Sequence, residues 1–152
     1  MKKNKPIKWI LKKMDDLSPL ELYAIMQLRN EVFVVEQNCV YQDADNKDPL
    51  CYHLMGWSDD KLEAYSRIIP PGVAYIEPSI GRVVTSPSAR GGGIGKQLME
   101  QSINQVLKLF GTTSVKIGAQ VYLLNFYSNL GFLQTSAIYL EDGIEHVEMV
   151  KS

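Results

Sequence analysis

The sequence predicts a mixed α/β protein of the α+β type, with a mostly antiparallel central sheet flanked by helices. Three observations carry this. Two strand-like runs, residues 52–58 and 61–69, are parted only by Asp59-Asp60, the signature of a hairpin. "IGRVVTS", residues 80–86, leads through a glycine-rich turn into a helical pattern and then another strand, which makes one β-α-β unit. Ahead of both, Ser18-Pro19-Leu20-Glu21 is a capping box with proline at the first helical position, so a helix begins there.

Taken in order, the basic stretch "MKKNKPIKWILKKM" reads as a first strand with a solvated lysine face. Lys8, Lys12 and Lys13 break any apolar run, and no small-residue cleavage site follows, which excludes a signal peptide. Leu22, Ile25, Met26 and Leu28 recur at helical spacing, so a helix runs from about residue 19 into the thirties. "EVFVVEQ" is β-branched enough for a strand, but Glu31, Glu36 and Gln37 flank it at helical intervals, and it is read as a second helical segment. Pro70-Pro71-Gly72 ends the hairpin. From Gly95 to Leu109 the apolar residues Leu98, Ile103, Val106 and Leu107 form a helix, with Gly111 as its stop. There follow a strand, "SVKIGA", a short helix through "VYLLNFYSNL" stopped by Gly131, a strand from Phe132, and a last strand around "IEHVEMV". The order is β-α-α-β-β-β-α-β-α-β-β. No repeat or composition shift marks a boundary, so residues 1–152 read as a single domain.

A chain of 152 residues buries roughly 68–70% of its unfolded surface and needs no staple. Its 16 Lys and Arg against 17 Asp and Glu give a net charge of −1, which leaves no overall positive field for nucleic acid or an anionic membrane. No run approaches the roughly 18 apolar residues of a membrane span. Cys39 and Cys51 match neither a redox pair nor a zinc set and read as free thiols of a cytoplasmic protein. "DADNKD", with Asp43, Asp45 and Asp48, lacks the glycine and the glutamate of a calcium loop, so it reads as a solvated loop and no metal is expected.

"ARGGGIGKQL", residues 89–98, combines a strand end, a glycine turn and a helix start. Free backbone N–H groups and the positive end of a helix dipole meet there, which makes an anion site. A P-loop fails, because Arg90 and Gln97 stand where it needs glycine and Ser or Thr; a dinucleotide fingerprint fails on Lys96 and the missing downstream acid. Arg90-Gly91-Gly92-Gly93-Ile94-Gly95 instead fits Arg-x-x-Gly-x-Gly directly after a strand. Here the sequence resembles the GNAT superfamily of acyl-CoA-dependent N-acyltransferases. "AQVYLLNFYSNLGF" is similar to the superfamily's next segment, and "LRNEVFVVEQNCVYQDADNKD", "YHLMG" and "EDGIEHVEM" are similar to its ElaA-type subfamily.

The resemblance implies the GNAT fold and acetyl-CoA as co-substrate, its pyrophosphate held by Gly91, Gly92, Gly93, Ile94 and Gly95, with charge added by Arg90 and Lys96. It also implies that Val83, Val84 and Thr85 pair their backbone with the pantetheine arm, and that Tyr127 is the general acid at the departing sulfur. Tyr127 is also one of eight tyrosines, and packing beside Phe126 is its bland role. Gln120 and Asn125 are further candidates for cofactor contacts, or simply decorate the short helix. For the general base the candidates are Glu36, His53 and His146, with deprotonation through water and no dedicated residue as the alternative. Each has a structural alternative: Glu36 as a partner for Arg29 or Arg82, the two histidines as packed strand residues. Glu141 and Asp142 either line an acceptor site or form a solvated turn. The expected partner is an amine-bearing small molecule or peptide, and the last strand could pair two copies into a homodimer. The rival expectation is a non-enzymatic acyl-CoA-binding or regulatory module that keeps the loop without turnover.

Overall fold

The computed structural model describes residues 6–152. Strand β1 (Lys8–Lys13) exposes Lys8 and Lys13, and helix α1 (Pro19–Arg29) starts at the capping box, with Ser18 Oγ accepting from the Glu21 N–H and Glu21 accepting from the Ser18 N–H. The first five residues of the basic stretch lie outside the described residues. "EVFVVEQ" is helical as expected, but it forms a π-helical turn, Asn30–Glu36, that prolongs α1. Wide i to i+5 bonds, Gln37 N–H to Val32 C=O at 3.0 Å and Cys39 N–H to Val34 C=O at 3.1 Å, mark that winding.

The hairpin is β2 (Tyr52–Ser58) and β3 (Lys61–Ile69), with Asp59 at φ +50° in its two-residue turn. Then come β4 (Ser79–Thr85), α2 (Ile94–Phe110), β5 (Val115–Gln120) and α3 (Leu124–Asn129). The strand expected from Phe132 shrinks to β6 (Leu133–Gln134), because the Phe132 N–H is spent on the Tyr127 carbonyl, 3.1 Å away, in the turn that ends α3. Two further strands close the chain, β7 (Tyr139–Glu141) and β8 (Ile144–Lys151). The sequence reading omitted β7. Its partner register Glu141↔Ile144 across Asp142-Gly143, both at positive φ, is the tight hairpin that Asp-Gly favours.

Every ladder is antiparallel, and the central sheet opens into two four-stranded halves, β1-β2-β3-β4 and β5-β8-β6 with β7 on the free part of β8. The edges β4 and β5 touch at one end, where the Lys116 N–H donates to Pro78 C=O at 3.1 Å. Beyond that contact no ladder joins them. Two cores hold the halves. Leu98, Met99 and Val106 of α2 pack on Leu54, Ile68, Ile117, Val147 and Met149, while Ile25, Leu28 and Val32 pack on Met55, Tyr65 and Val84 from the other face. Because β3 is covered on both faces, Ala64 to Ile69 are all buried and its sequence shows no alternation.

The "DADNKD" segment corrects the solvated-loop expectation, since Asp43 and Asp48 are buried. The cause is three arginines converging from three elements. Fully buried Arg29 of α1 donates to Asp43 at 2.7 Å and Asp48 at 2.8 Å. Arg67 of β3 donates to both Asp45 oxygens at 2.8 Å and to Asp48 at 2.9 Å. Arg82 of β4 donates to the Asp43 carbonyl at 3.1 Å and to Asp45 at 3.3 Å. Three positive charges thus meet three negative ones. Arg82 sits at φ +48° where the β3–β4 register slips, a backbone state that bulky residues avoid, so this clasp holds a bulge in β4. His53 closes the network: one ring nitrogen bonds the Asp48 carbonyl at 3.0 Å and the other bonds Tyr65 Oη at 2.7 Å.

This network sets an acid limit. Burial holds the His53 imidazole below its ordinary value. Burial would raise Asp45 and Asp48, but the arginine hydrogen bonds outweigh it and hold both carboxyls below the usual range. All three groups therefore bind protons more readily in the unfolded chain, so stability falls as pH drops. The loss is expected to begin below pH ~6.5 with His53 and to steepen below ~4 with the aspartates. Melting temperatures from pH 8 to 2.5 check it; a His53→Gln chain should lose the upper step and keep the lower.

Candidate active site

The glycine loop lies at the end of β4. After a 3-10 turn, Pro87–Ala89, the exposed residues Arg90 to Gly93 lead into α2. Gly91 and Gly93 have φ +92° and +80°, which a side chain resists, and a Cβ at either would meet nothing within 4 Å. The loop is therefore open. Gly93 caps α2 without a side-chain bond and no acidic residue stands in the first turn, so the first N–H groups and the helix dipole are uncompensated. Ile94 is buried and its side chain belongs to the core, leaving its backbone for a ligand; Gly95 packs against Phe126, and Lys96 is exposed. These residues fit a pyrophosphate.

Glu36 stands next to this loop. Its carboxylate takes both arms of the Arg90 fork, at 2.7 and 2.9 Å, and pairs with neither Arg29 nor Arg82. The Arg90 hydrogen bonds hold the Glu36 carboxyl below its ordinary value, which weakens it as a base. The next residues continue across the opening. Gln37 accepts from Gln120 Nε2 at 3.4 Å, and Cys39 Sγ donates to the Asp142 carbonyl at 3.3 Å. Residues 36–39 thus strap the loop after β4 to the end of β5 and the β7–β8 turn. No sequence pattern foretold that bridge, because it joins positions 54, 83 and 103 apart.

Val83, Val84 and Thr85 lie on β4, whose other edge is the open one; Val84 turns its side chain into the α1 core. Tyr127 of α3 is buried, edge-on to Phe126 at 5.1 Å and Phe132 at 5.9 Å. Burial pushes its phenol up to about 12, so it stays protonated at neutral pH. Asn125 is exposed on α3.

The two histidines part company. His53 is 1% exposed with both ring nitrogens bonded, so it has no nitrogen for a substrate and the base assignment is withdrawn from it. His146 lies directly opposite Gln120 on the β5–β8 ladder, stacked on Tyr139 at 5.9 Å. Its Nδ1 is 2.7 Å from the Ile144 carbonyl, which can only accept, so Nδ1 donates there and Nε2 is the nitrogen turned to the Glu141 carboxylate, 3.6 Å away. Among the described residues no group of three or more His, Cys, Asp or Glu could hold a metal, and no helix is long and apolar enough to cross a membrane.

Comparison with known proteins agrees with this geometry. Residues 25–152 match the acetyltransferase (GNAT) domain family. Protein ElaA of Escherichia coli is 41% identical over 147 residues, covering 95% of this chain and 96% of that protein. A UPF0039 protein of Synechocystis is 39% identical over 145 residues, covering 95% and 94%. The crystal structure of an acyl-CoA N-acyltransferase from Pseudomonas aeruginosa superimposes with a TM-score of 0.91 at 43% identity, over 96% of this chain and 99% of that one. An open glycine loop on a splayed sheet, near-complete coverage by ElaA-type relatives and a closely superimposable acyltransferase together place the chain in the GNAT acetyltransferase family, in its ElaA/UPF0039 branch.

Proposed function

We propose that the chain N-acetylates a primary amine with acetyl-CoA as donor, by direct attack while both are bound. The observation that carries it is the open anion loop set beside the unpaired edge of β4. Acetyl-CoA brings an activated thioester; the chain's residues bind it, align it and handle the protons. The backbone N–H groups of Gly91 to Gly95 and the positive end of α2 hold the pyrophosphate, with Arg90 and Lys96 adding charge. Val83, Val84 and Thr85 offer their free edge to the pantetheine arm as an added strand, and a β4 N–H faces the carbonyl oxygen. One such donor is worth roughly 10²–10³ in kcat. Gln120 and Asn125 flank the arm's end.

Tyr127 is the acid for the departing sulfur. A phenol near 12 is a weak acid toward a thiol of ordinary value ~8.5, but the apolar surroundings that raise the phenol also raise a thiolate's affinity for a proton. His146, on β8 opposite the end of β5, is the base, acting through Nε2, the nitrogen not bonded to the Ile144 carbonyl. Glu36 serves the loop through Arg90.

Calorimetric titration with acetyl-CoA tests the reading. Micromolar binding is expected for the chain as given, and at least ~10-fold weaker binding for Gly93→Val, since a β-branched residue at φ +80° strains the cap by about 1–3 kcal/mol. Arg90→Glu should weaken it further. Absent binding at millimolar acetyl-CoA sinks the proposal, and binding without thiol release across amines favours a non-enzymatic acyl-CoA module.

A further inference from the structure

The outer face of the second half-sheet carries a row that the acyl-transfer reading leaves partly unused. Gln120, His146 and Tyr139 are directly opposed across β5, β8 and β7, so their side chains share one face. Three polar groups, Gln120, His146 and Glu141, come to one end of that face. Gln120 Oε1 is buried and bonded to nothing among the described residues, although its amide nitrogen is engaged by Gln37. His146 Nε2 is the ring nitrogen left over from the backbone bond that Nδ1 makes to Ile144. Glu141 Oε2 approaches that same Nε2 at 3.6 Å. A carboxylate beside an imidazole nitrogen, with an orphaned carbonyl oxygen on the directly opposed strand position, can together receive a group with several N–H bonds. An ammonium has three.

The neighbouring residues shape what may carry it. The Tyr139 ring stacks on His146, and a Cβ at Gly118 would meet Tyr139 Oη at 3.0 Å and Tyr75 Oη at 3.3 Å, so glycine there makes room for a two-phenol wall. One rung along, Lys116 Nζ lies 4.9 Å over the Tyr75 ring and 3.2 Å from Glu148, an internal ammonium already held by an aromatic ring and a carboxylate. Glu141 and Glu148 share this face with His146, and Lys116 is taken by Glu148. A carboxylate attached next to the reacting nitrogen would meet repulsion from both, with Lys116 already engaged.

We infer that Gln120, His146 and Glu141 form the acceptor ammonium site, and that the acceptor class is an aliphatic primary amine with no carboxylate on the amine carbon. This rests on the acyl-transfer reading. The bound ammonium gives one proton to His146 Nε2. The freed nitrogen lone pair attacks the thioester carbon, the N–C bond forms and the C–S bond breaks. The nitrogen sheds its second proton as the amide forms, the thiolate takes one through Tyr127, and His146 returns its own to solvent, leaving one net proton released.

The test uses n-pentylamine and norleucine, which differ by one carboxylate at the amine carbon, titrated by calorimetry into the protein saturated with CoA, with acetyl-CoA titrated separately. Pentylamine is expected to bind at least 10-fold tighter than norleucine. Glu141→Gln, an exposed position, should lose about 10-fold or more of the pentylamine affinity, as for one charge-assisted hydrogen bond, while acetyl-CoA binding holds. Equal binding of the two amines, undetectable pentylamine binding, or an unchanged Glu141→Gln affinity overturns the inference alone. Failure of acetyl-CoA to bind overturns the acyl-transfer reading and the inference with it.

Discussion

Asp48→Ala is expected to lower the melting temperature at pH 7 by roughly 6–20 °C. One oxygen of Asp48 accepts from both Arg29 and Arg67, which are 0% and 3% exposed. Truncation leaves the two guanidinium groups, both almost wholly shielded from solvent, competing for Asp43 and Asp45. Breaking a buried pair from one side costs about 3–5 kcal/mol, and a domain of this size loses about 2–4 °C per kcal/mol. The His53 contact goes to the Asp48 backbone carbonyl and survives the change, so the loss reports the charges. Thermal unfolding by circular dichroism measures it. A fall under about 3 °C would mean that the network is solvated and contributes little.

Tyr127→Phe is expected to lower kcat by 10²-fold or more and to leave acetyl-CoA affinity within about twofold. A general acid contributes 10²–10⁴-fold, and removing one oxygen keeps the ring against Phe126 and Phe132. The glycine loop is untouched. Steady-state turnover and calorimetry on the same variant separate the two effects. Unaltered turnover removes Tyr127 from the chemistry; a matching loss of affinity makes it a packing residue.

The elements legible in the sequence were those marked by local chemistry: the capping box, the two-residue turn at Asp59-Asp60, the left-handed stop at Gly111 and the glycine loop. The less legible parts depend on long-range pairing. "DADNKD" looks like a solvated loop because Arg29, Arg67 and Arg82, scattered over more than fifty positions, do not announce that they will converge on it. Glu36 was matched to Arg29 or Arg82 for the same reason, whereas its partner Arg90 arrives through the fold. His53 and His146 look alike as strand residues and both are buried; only their partners separate the one locked between Tyr65 and Asp48 from the one whose Nε2 is turned to the exposed Glu141. The strand β7 did carry a local signal, Asp142-Gly143, which a stricter reading of hairpin turns would have used.

The parting of β4 from β5 leaves two sheet edges facing each other inside one small molecule. Edges elsewhere invite foreign strands, and proteins spend charge or proline to blunt them. Here the gap is where the proposed acyl donor would lie, and on that proposal the donor's abundance and the protein's lifetime become coupled quantities. At a donor concentration of ~100 times its dissociation constant, binding adds about 2.7 kcal/mol to folding, or roughly 5–10 °C. A cell short of acyl donor would then lose the enzyme by unfolding as well as by idleness, which makes abundance itself a slow gauge of metabolic state.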